Sequence, residues 1–171
     1  MTNAVGMEIV AIRRARLADI SAIAEMEKIP EFHALVGSWP EEQHRDMLKD
    51  PDAAYWVAEN SVGHVTGFCI LRGLQAKHHA LEIKRIVVTT PDKGMGKTFL
   101  RFLLEQAFTV CHAHRVWLYV FEDNARAQHF YREFGFQEDG LLREAILRDG
   151  QYLSLVLMSL LDREYRQHPQ E

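Results

Sequence analysis

The stretch richest in chemistry runs from Lys84 to Thr98: Lys-Arg-Ile-Val-Val-Thr-Thr-Pro-Asp-Lys-Gly-Met-Gly-Lys-Thr. A β-branched run leads into the paired glycines Gly94 and Gly96, and a helix-like pattern follows. Glycines let backbone amides crowd together, and a helix start adds unpaired N–H groups and the positive end of its dipole, so the stretch reads as a phosphate cradle. One ligand class is a nucleoside triphosphate. Pro91 to Thr98 falls one residue short of G-x-x-x-x-G-K-[ST], and Val116 to Glu122 is an apolar run ending in an acid that could serve Mg²⁺. Pro91 stands where the first glycine belongs and cannot take a positive φ. Two further residues carry chemistry. Glu82 sits among apolar neighbours, where an unpaired carboxylate is costly. Tyr131 lies in Asn124-Ala125-Arg126-Ala127-Gln128-His129-Phe130-Tyr131, and an ordinary phenol stays protonated at neutral pH.

Nine histidines invite a metal site, yet the nearest pairs, His78-His79 and His112/His114, lack the i, i+4 spacing of helical zinc ligands, so no metal is expected. Cys69 and Cys111 lie far apart inside apolar patterns and read as buried thiols in a reducing compartment.

Positioning these groups falls to a mixed series of elements. Met7 to Arg13 reads as a strand, and an amphipathic helix from Asp19 ends near Pro30. Pro30 to Pro40 is loop-like but carries Phe32, Leu35, Val36 and Trp39, which suggests a lid over a pocket. Pro40-Glu41-Glu42 opens a short helix. Strands follow at Ala54 to Glu59, Val65 to Leu71 and Leu81 to Val88, the first two joined as a hairpin. From Lys97, apolar residues repeat at helical spacing to Cys111. Arg115 to Phe121 reads as a strand covered on both faces. Asn124 caps a short helix, and two strands, Phe136 to Leu142 and Tyr152 to Leu160, meet at Asp149-Gly150. The polar tail from Asp162 is expected to fray. This β-α-α-β-β-β-α-β-α-β-β order implies an α/β (α+β) fold with a mixed, mostly antiparallel sheet of about seven strands flanked by helices.

The chain has 171 residues, 47% of them apolar and 26% charged. That suits a single domain over 1–171 with a core from about 7 to 165, able to bury about two-thirds of its unfolded surface without disulfide or metal. A formal net charge of -4 argues against nucleic-acid or anionic-membrane binding. No basic-then-apolar leader opens the chain and no apolar run reaches the ~20 residues of a membrane span, so a cytoplasmic protein is expected.

Four features in order resemble the GNAT superfamily of acetyl-CoA-dependent N-acetyltransferases, over roughly Met7 to Tyr165. Leu81 to Val88 is similar to its central strand, and Lys93-Gly94-Met95-Gly96-Lys97 to its pyrophosphate loop. Asn124 to Tyr131 is similar to its N-x-x-A-x-x-x-Y helix. Phe134-Gly135-Phe136, with Met158-Ser159-Leu160 on the last strand, completes the set. Gly140 to Ala145 resembles the branch holding ribosomal-protein N-terminal and polyamine acetyltransferases. One departure stands out: the family usually has Arg or Gln three residues before the first glycine, and here Pro91 offers no amide hydrogen.

The resemblance implies that acetyl-CoA is a cosubstrate. Its pyrophosphate would meet Lys93, Gly94, Met95, Gly96, Lys97 and Thr98. Its pantetheine arm would lie along the backbone of Ile86, Val87 and Val88, with Asn124, Ala127 and Phe130 nearby. In the family picture the central strand is bulged and splayed from the next one. Tyr131 then takes the place of the general acid facing the thioester sulfur, and Glu82 that of the base drawing a proton from a primary amine, with no acyl-enzyme. For Glu82 a salt bridge to Lys84 is the competing reading; for Asn124 it is capping alone. The acceptor would be a protein N-terminus, a polyamine or an amino-acid-like molecule, with Glu27, Glu31, Glu41 and Glu42 placed to draw a cationic amine. Homodimers are common in the family, though this sequence carries no interface signal. The alternatives are a P-loop-type nucleotide enzyme and a non-catalytic acyl-CoA-binding module.

Overall fold

A computed structural model of the chain describes residues 11–32, 37–89 and 94–168. Seven strands form one sheet in the order β1-β2-β3-β4-β5-β7-β6. They are β1 Ala11–Arg14, β2 Ala53–Glu59, β3 Val65–Arg72, β4 Ala80–Val88, β5 Arg115–Phe121, β6 Gln137–Arg148 and β7 Gln151–Leu161. The longer helices are α1 Ile20–Lys28, α2 Glu41–Lys49, α3 Met95–Glu105, α4 Ala125–Glu133 and α5 Asp162–Gln167; a 3-10 turn at Leu17–Asp19 leads into α1, a wider turn at Gln106–Val110 extends α3, and residues 30–32, expected as loop, are helical. Every strand pairing is antiparallel except β4 with β5. The expected mixed, mostly antiparallel seven-stranded sheet is what forms.

Alternation along the strands divides the apolar residues between two layers. Trp56, Cys69 and Leu71 face α3, whose Phe99, Leu100, Leu103 and Leu104 are buried against the sheet. Tyr55, Val57, Phe68 and Ile70 face the other way, onto Ile20, Ile23 and Met26 of α1. Met47 and Leu48 of α2 extend that second layer.

A bulge in β4 changes which side chains share a face. Ile70 pairs with Arg85 and Leu71 with Ile83, so Lys84 is the extra residue. Strict alternation would put Arg85 and Val87 with Leu81 and Ile83. The bulge instead sends Val87 into the α1 layer, while Leu81, Ile83 and Val88 remain in the α3 layer. Glu82 and Arg85 therefore come to the same side of the sheet.

Three further expectations need correction. β5 is not covered on both faces: Val116, Leu118 and Val120 are buried, but Tyr119 is 40% exposed, because the α1 layer does not extend across that face. The tail from Asp162 forms α5 rather than fraying. Glu164 accepts a hydrogen bond from the Leu161 N–H at 2.9 Å, and Tyr165 stacks on Phe108 at 4.7 Å. Cys111 is half-buried, whereas Cys69 is fully buried; both are free thiols. The proposed strand residues 7–10 and lid residues Leu35 and Val36 lie outside the described residues.

Candidate active site

β4 and β5 pair over three residues only, Ala80–Glu82 against Arg115–Trp117. Beyond that point β4 stays with β3 through Ile86, Val87 and Val88, and β5 stays with β7. The two strands thus splay, leaving one edge of each facing a cleft. A cavity of about 160 Å³ fills it, walled by residues 83–88 and 118–121 and by Asn124, Ala127 and Tyr131. A second cavity of about 620 Å³ continues along β4 toward Gly96, Arg126 and Phe130. Of the described ends of the expected lid, Phe32 borders both cavities, whereas Trp39 borders a cavity on the other side of β4.

The glycine loop opens α3. Gly94 is the N-cap at φ +71°, a left-handed conformation that side chains rarely adopt. The first helical bond runs from Thr98 N–H to Gly94 O at 3.0 Å, so the amides of Gly96 and Lys97 precede it in the first turn of the helix. The Thr98 hydroxyl turns back to the same carbonyl at 3.3 Å. A Cβ added to Gly96 would lie 3.8 Å from the Phe130 ring, so any longer side chain would fill the second cavity. The Lys97 ammonium pairs with Glu133 at 3.1 Å, which directs it along α4. Met95 is buried in the α3 layer, so it contributes backbone rather than side chain to the loop. Pro91 and Lys93 lie outside the described residues.

α4 presents the groups at the far wall. Asn124 Oδ1 accepts from the Ala127 N–H at 3.0 Å, so the residue caps the helix and also lines both cavities. Gln128 Nε2 donates to the carbonyls of Phe121 (3.2 Å) and Glu122 (2.9 Å), tying α4 to the end of β5. One turn later Tyr131 reaches both cavities at 7% exposure. Its hydroxyl has no hydrogen-bond partner among the described residues, and burial pushes its pKa well above the ordinary phenol value. The phenol therefore keeps its proton at neutral pH.

On the opposite side of β4 lies a cavity of about 700 Å³ containing Glu82, Lys84, Arg85 and Trp39. It shares Ile83, Lys84, Arg85, Tyr119 and Phe121 with the cleft cavity, so the two meet across the bulge. Glu82 is 9% exposed, and Lys84 Nζ donates to its Oε1 at 3.3 Å.

Glu27 does not meet the expectation of drawing a cationic amine. It is fully buried. Its Oε2 accepts from the Trp39 N–H at 2.7 Å and lies 3.0 Å from His44 Nε2. Its Oε1 is 2.9 Å from Arg85 Nε. His44 Nδ1 continues to the Tyr55 hydroxyl at 2.9 Å, and the Arg85 guanidinium lies 4.2 Å over the Trp39 ring. Burial lowers Arg85 from its ordinary pKa, and burial followed by the Glu27 charge raises Tyr55. This network pins the Trp39 loop and α2 to β4. Glu41 is spent on Arg45 at 2.6 Å, and Glu31 borders the cavity toward Gly96 rather than the one holding Glu82.

Sequence reasoning missed Arg85, His44 and Arg126. Arg85 stands beside Glu82 only because of the bulge. His44 joins a residue 17 positions away and carries no local signal. Arg126 lines the cavity beside Gly96, and its place in the first turn of α4 was the available clue.

Comparison with known proteins bears on this arrangement. The model of the acetyltransferase (GNAT) family matches residues 20–136. The chain is 28% identical to a spermidine N(1)-acetyltransferase of Vibrio cholerae over 126 residues (73% of each chain). It is 28% identical over 147 residues to a putative ribosomal protein bS18-alanine N-acetyltransferase of Bacillus subtilis (82% of this chain, 89% of the relative). It is 26% identical over 161 residues to the L-amino acid N-acetyltransferase AaaT of Escherichia coli (90% and 98%). Among solved structures, the Vibrio cholerae spermidine N-acetyltransferase in complex with CoA and spermine superposes with a TM-score of 0.80 at 23% identity, covering 91% of this chain and 97% of that one. The family match takes in the glycine loop and displaces the nucleoside-triphosphate alternative. A splayed β4–β5 cleft, a glycine loop opening α3 and a family match over most of the chain agree: the chain belongs to the GNAT acetyltransferase family and is an acetyl-CoA-dependent N-acyltransferase.

Proposed function

We propose that this chain transfers acetyl from acetyl-CoA directly to a primary amine, with Glu82 as general base and Tyr131 as general acid. The observation that carries the reading is the shared wall of the two cavities. Glu82 lines one and Tyr131 lines the other, and the bulged segment of β4 is common to both walls.

The residues present fit the coenzyme. The unpaired edge of β4 at Ile86, Val87 and Val88 offers backbone groups to an amide-bearing arm. The first-turn amides at Gly96 and Lys97 suit a pyrophosphate, and Thr98, Asn124, Ala127 and Phe130 stand close around that path. Bound there, the coenzyme supplies an acetyl thioester carbonyl and a thiolate leaving group. Glu82, held by Lys84, accepts the proton that the acceptor ammonium must lose before its nitrogen, then carrying a lone pair, can attack. Backbone amides on the cleft edge of β4 are the donors for developing negative charge on the carbonyl oxygen. Tyr131, buried and protonated, delivers a proton to the departing sulfur.

The acceptors named for the relatives are spermidine, a ribosomal-protein alanine and L-amino acids, and all of them present a primary amine. The test is CoA release on mixing the protein with acetyl-CoA and an amine panel drawn from those three classes. Amine-dependent release with no acetylated protein in its intact mass is the expected result. Acetylated enzyme formed before the amine is added would refute direct transfer.

A further inference from the structure

The cleft wall formed by β4 is shaped from behind, by β3. After its pairing with β5 ends at Glu82, β4 stays with β3 to Val88. Gly67 of β3 is buried and stands opposite Val88. A Cβ on Gly67 would lie 2.8 Å from the Val87 carbonyl oxygen and 3.4 Å from both Cα and Cγ2 of Val88. The first distance is shorter than a methyl carbon can hold against a backbone oxygen, and a strand backbone cannot turn aside as a side-chain tip can. β3 and β4 therefore lie closer here than any residue but glycine allows.

The end of β4 is fastened at the same place. The Thr89 N–H donates to Thr66 O at 2.9 Å, and the Thr89 hydroxyl donates to the same oxygen at 2.9 Å. Bonded and non-bonded pairs alternate along an antiparallel ladder, and the non-bonded pairs are the narrow ones. With Thr66 and Thr89 bonded, Gly67 and Val88 form a narrow pair, and Val88 turns its N–H and C=O away from β3 toward the cleft. Val88 borders both cleft cavities.

We infer that Gly67 and Thr89 are positioning residues for acetyl-CoA: they draw the outer half of β4 onto β3, hold the cleft open and aim the Val88 backbone groups into it. This rests on the coenzyme path along β4 and names what keeps that path clear. Gly67 has no side chain to offer a ligand, and the Thr89 hydroxyl is engaged by Thr66, so both act through the strand. A side chain at 67 would push Val87 and Val88 off β3, and the side left for that displacement is the cleft. The other end of the strand supplies an internal contrast. A Cβ on Gly73, at φ +88°, would lie 2.6 Å from the Ala80 carbonyl oxygen. It strains β4 as severely, but where β4 is still paired with β5.

The experiment is calorimetric titration of the intact protein with acetyl-CoA, comparing the parent with Gly67→Ala, Gly73→Ala, Thr89→Val and Thr89→Ser. A thermal melt first shows that each preparation is folded. Gly67→Ala is expected to weaken acetyl-CoA by roughly 10-fold or more, as a displaced binding wall predicts. Gly73→Ala should bind within about threefold of the parent while losing at least as much in Tm. Thr89→Val keeps the shape but not the hydroxyl bond and should weaken binding by about threefold or more. Thr89→Ser restores that bond and should bind within about twofold of the parent. The threonine pair carries the test even if a glycine variant does not fold. Parent-like affinity in folded Gly67→Ala, an equal loss in folded Gly73→Ala, or equal affinities in Thr89→Val and Thr89→Ser overturns the inference and leaves the coenzyme reading intact. Failure of the parent to bind acetyl-CoA overturns both.

Discussion

Replacing Tyr131 by Phe separates catalysis from packing, because the structure places its ring and its hydroxyl in different circumstances. The ring is part of the core: it meets Phe130 at 5.3 Å and Phe136 at 5.5 Å, and the residue is 7% exposed. Phenylalanine keeps those contacts. The hydroxyl has no protein partner among the described residues, and burial raises its pKa. Removing a buried polar group that has no hydrogen bond is neutral to mildly stabilising, so unfolding free energy should stay within about 1 kcal/mol of the parent. For a chain of this length that is a shift of about 4 °C or less in Tm. If the hydroxyl protonates the leaving sulfur, kcat should fall by roughly 10²- to 10⁴-fold, equivalent to about 3–5 kcal/mol of transition-state stabilisation. Acetyl-CoA affinity should change little, since the ring still walls the cleft. A thermal melt, a coenzyme titration and CoA release at saturating amine measure the three quantities on one preparation. A kcat within about threefold of the parent would refute the acid role and favour the non-catalytic binding module. A Tm loss beyond about 8 °C would refute the claim that the hydroxyl is structurally idle.

Further expectations concern the rest of the site. Glu82→Gln keeps the shape but cannot take a proton, and it should lower kcat/KM by about 10²-fold or more across the neutral range, with any residual rate rising with pH as free amine accumulates; an unchanged rate would leave Glu82 as a partner of Lys84 only. Because the Tyr131 pKa is raised, the fall in kcat caused by its ionisation should begin only above the ordinary phenol value of about 10; a tyrosine-dependent alkaline fall centred near pH 8 would contradict the donor assignment. Glu27→Gln leaves Arg85 buried without its counter-charge and should cost about 3–5 kcal/mol, on the order of 10 °C in Tm, which a melt with reversible refolding can read. Asp19 is held below the ordinary carboxylate pKa by hydrogen bonds from Arg13, so it stabilises the fold above its unfolded value and loses that contribution as pH falls through the folded one. Asp19→Asn should therefore flatten the acid limb of the stability curve, as denaturant titrations between about pH 2 and 5 would show.

What was legible in the sequence was local. The glycine pair before a strong helical repeat located the start of α3, and Asn124 with Tyr131 seven residues later located the wall of the cleft, because a cap and a helical period are read within a few residues. Tertiary placement escaped. A one-residue bulge at Lys84 reverses the face of every later side chain in β4, and the resemblance implied a bulge without giving its position. Glu27 reads as a solvated helix acid until Arg85, His44 and Trp39, brought from three other segments, enclose it. β5 reads as doubly covered because Trp and Tyr are apolar enough to mimic a buried run, yet their face lies beyond the reach of α1. The polar tail becomes a helix through Tyr165 and Phe108, partners more than fifty residues apart in the sequence.

The central claim is that the splay between β4 and β5, entered past the Gly94–Gly96 loop, is an acetyl-CoA slot. Calorimetric titration of the purified protein with acetyl-CoA, with Mg²⁺–ATP as the parallel ligand, tests it most directly. The account predicts saturable one-to-one binding of acetyl-CoA and no binding of Mg²⁺–ATP. Binding of ATP alone, or of neither ligand, would contradict it.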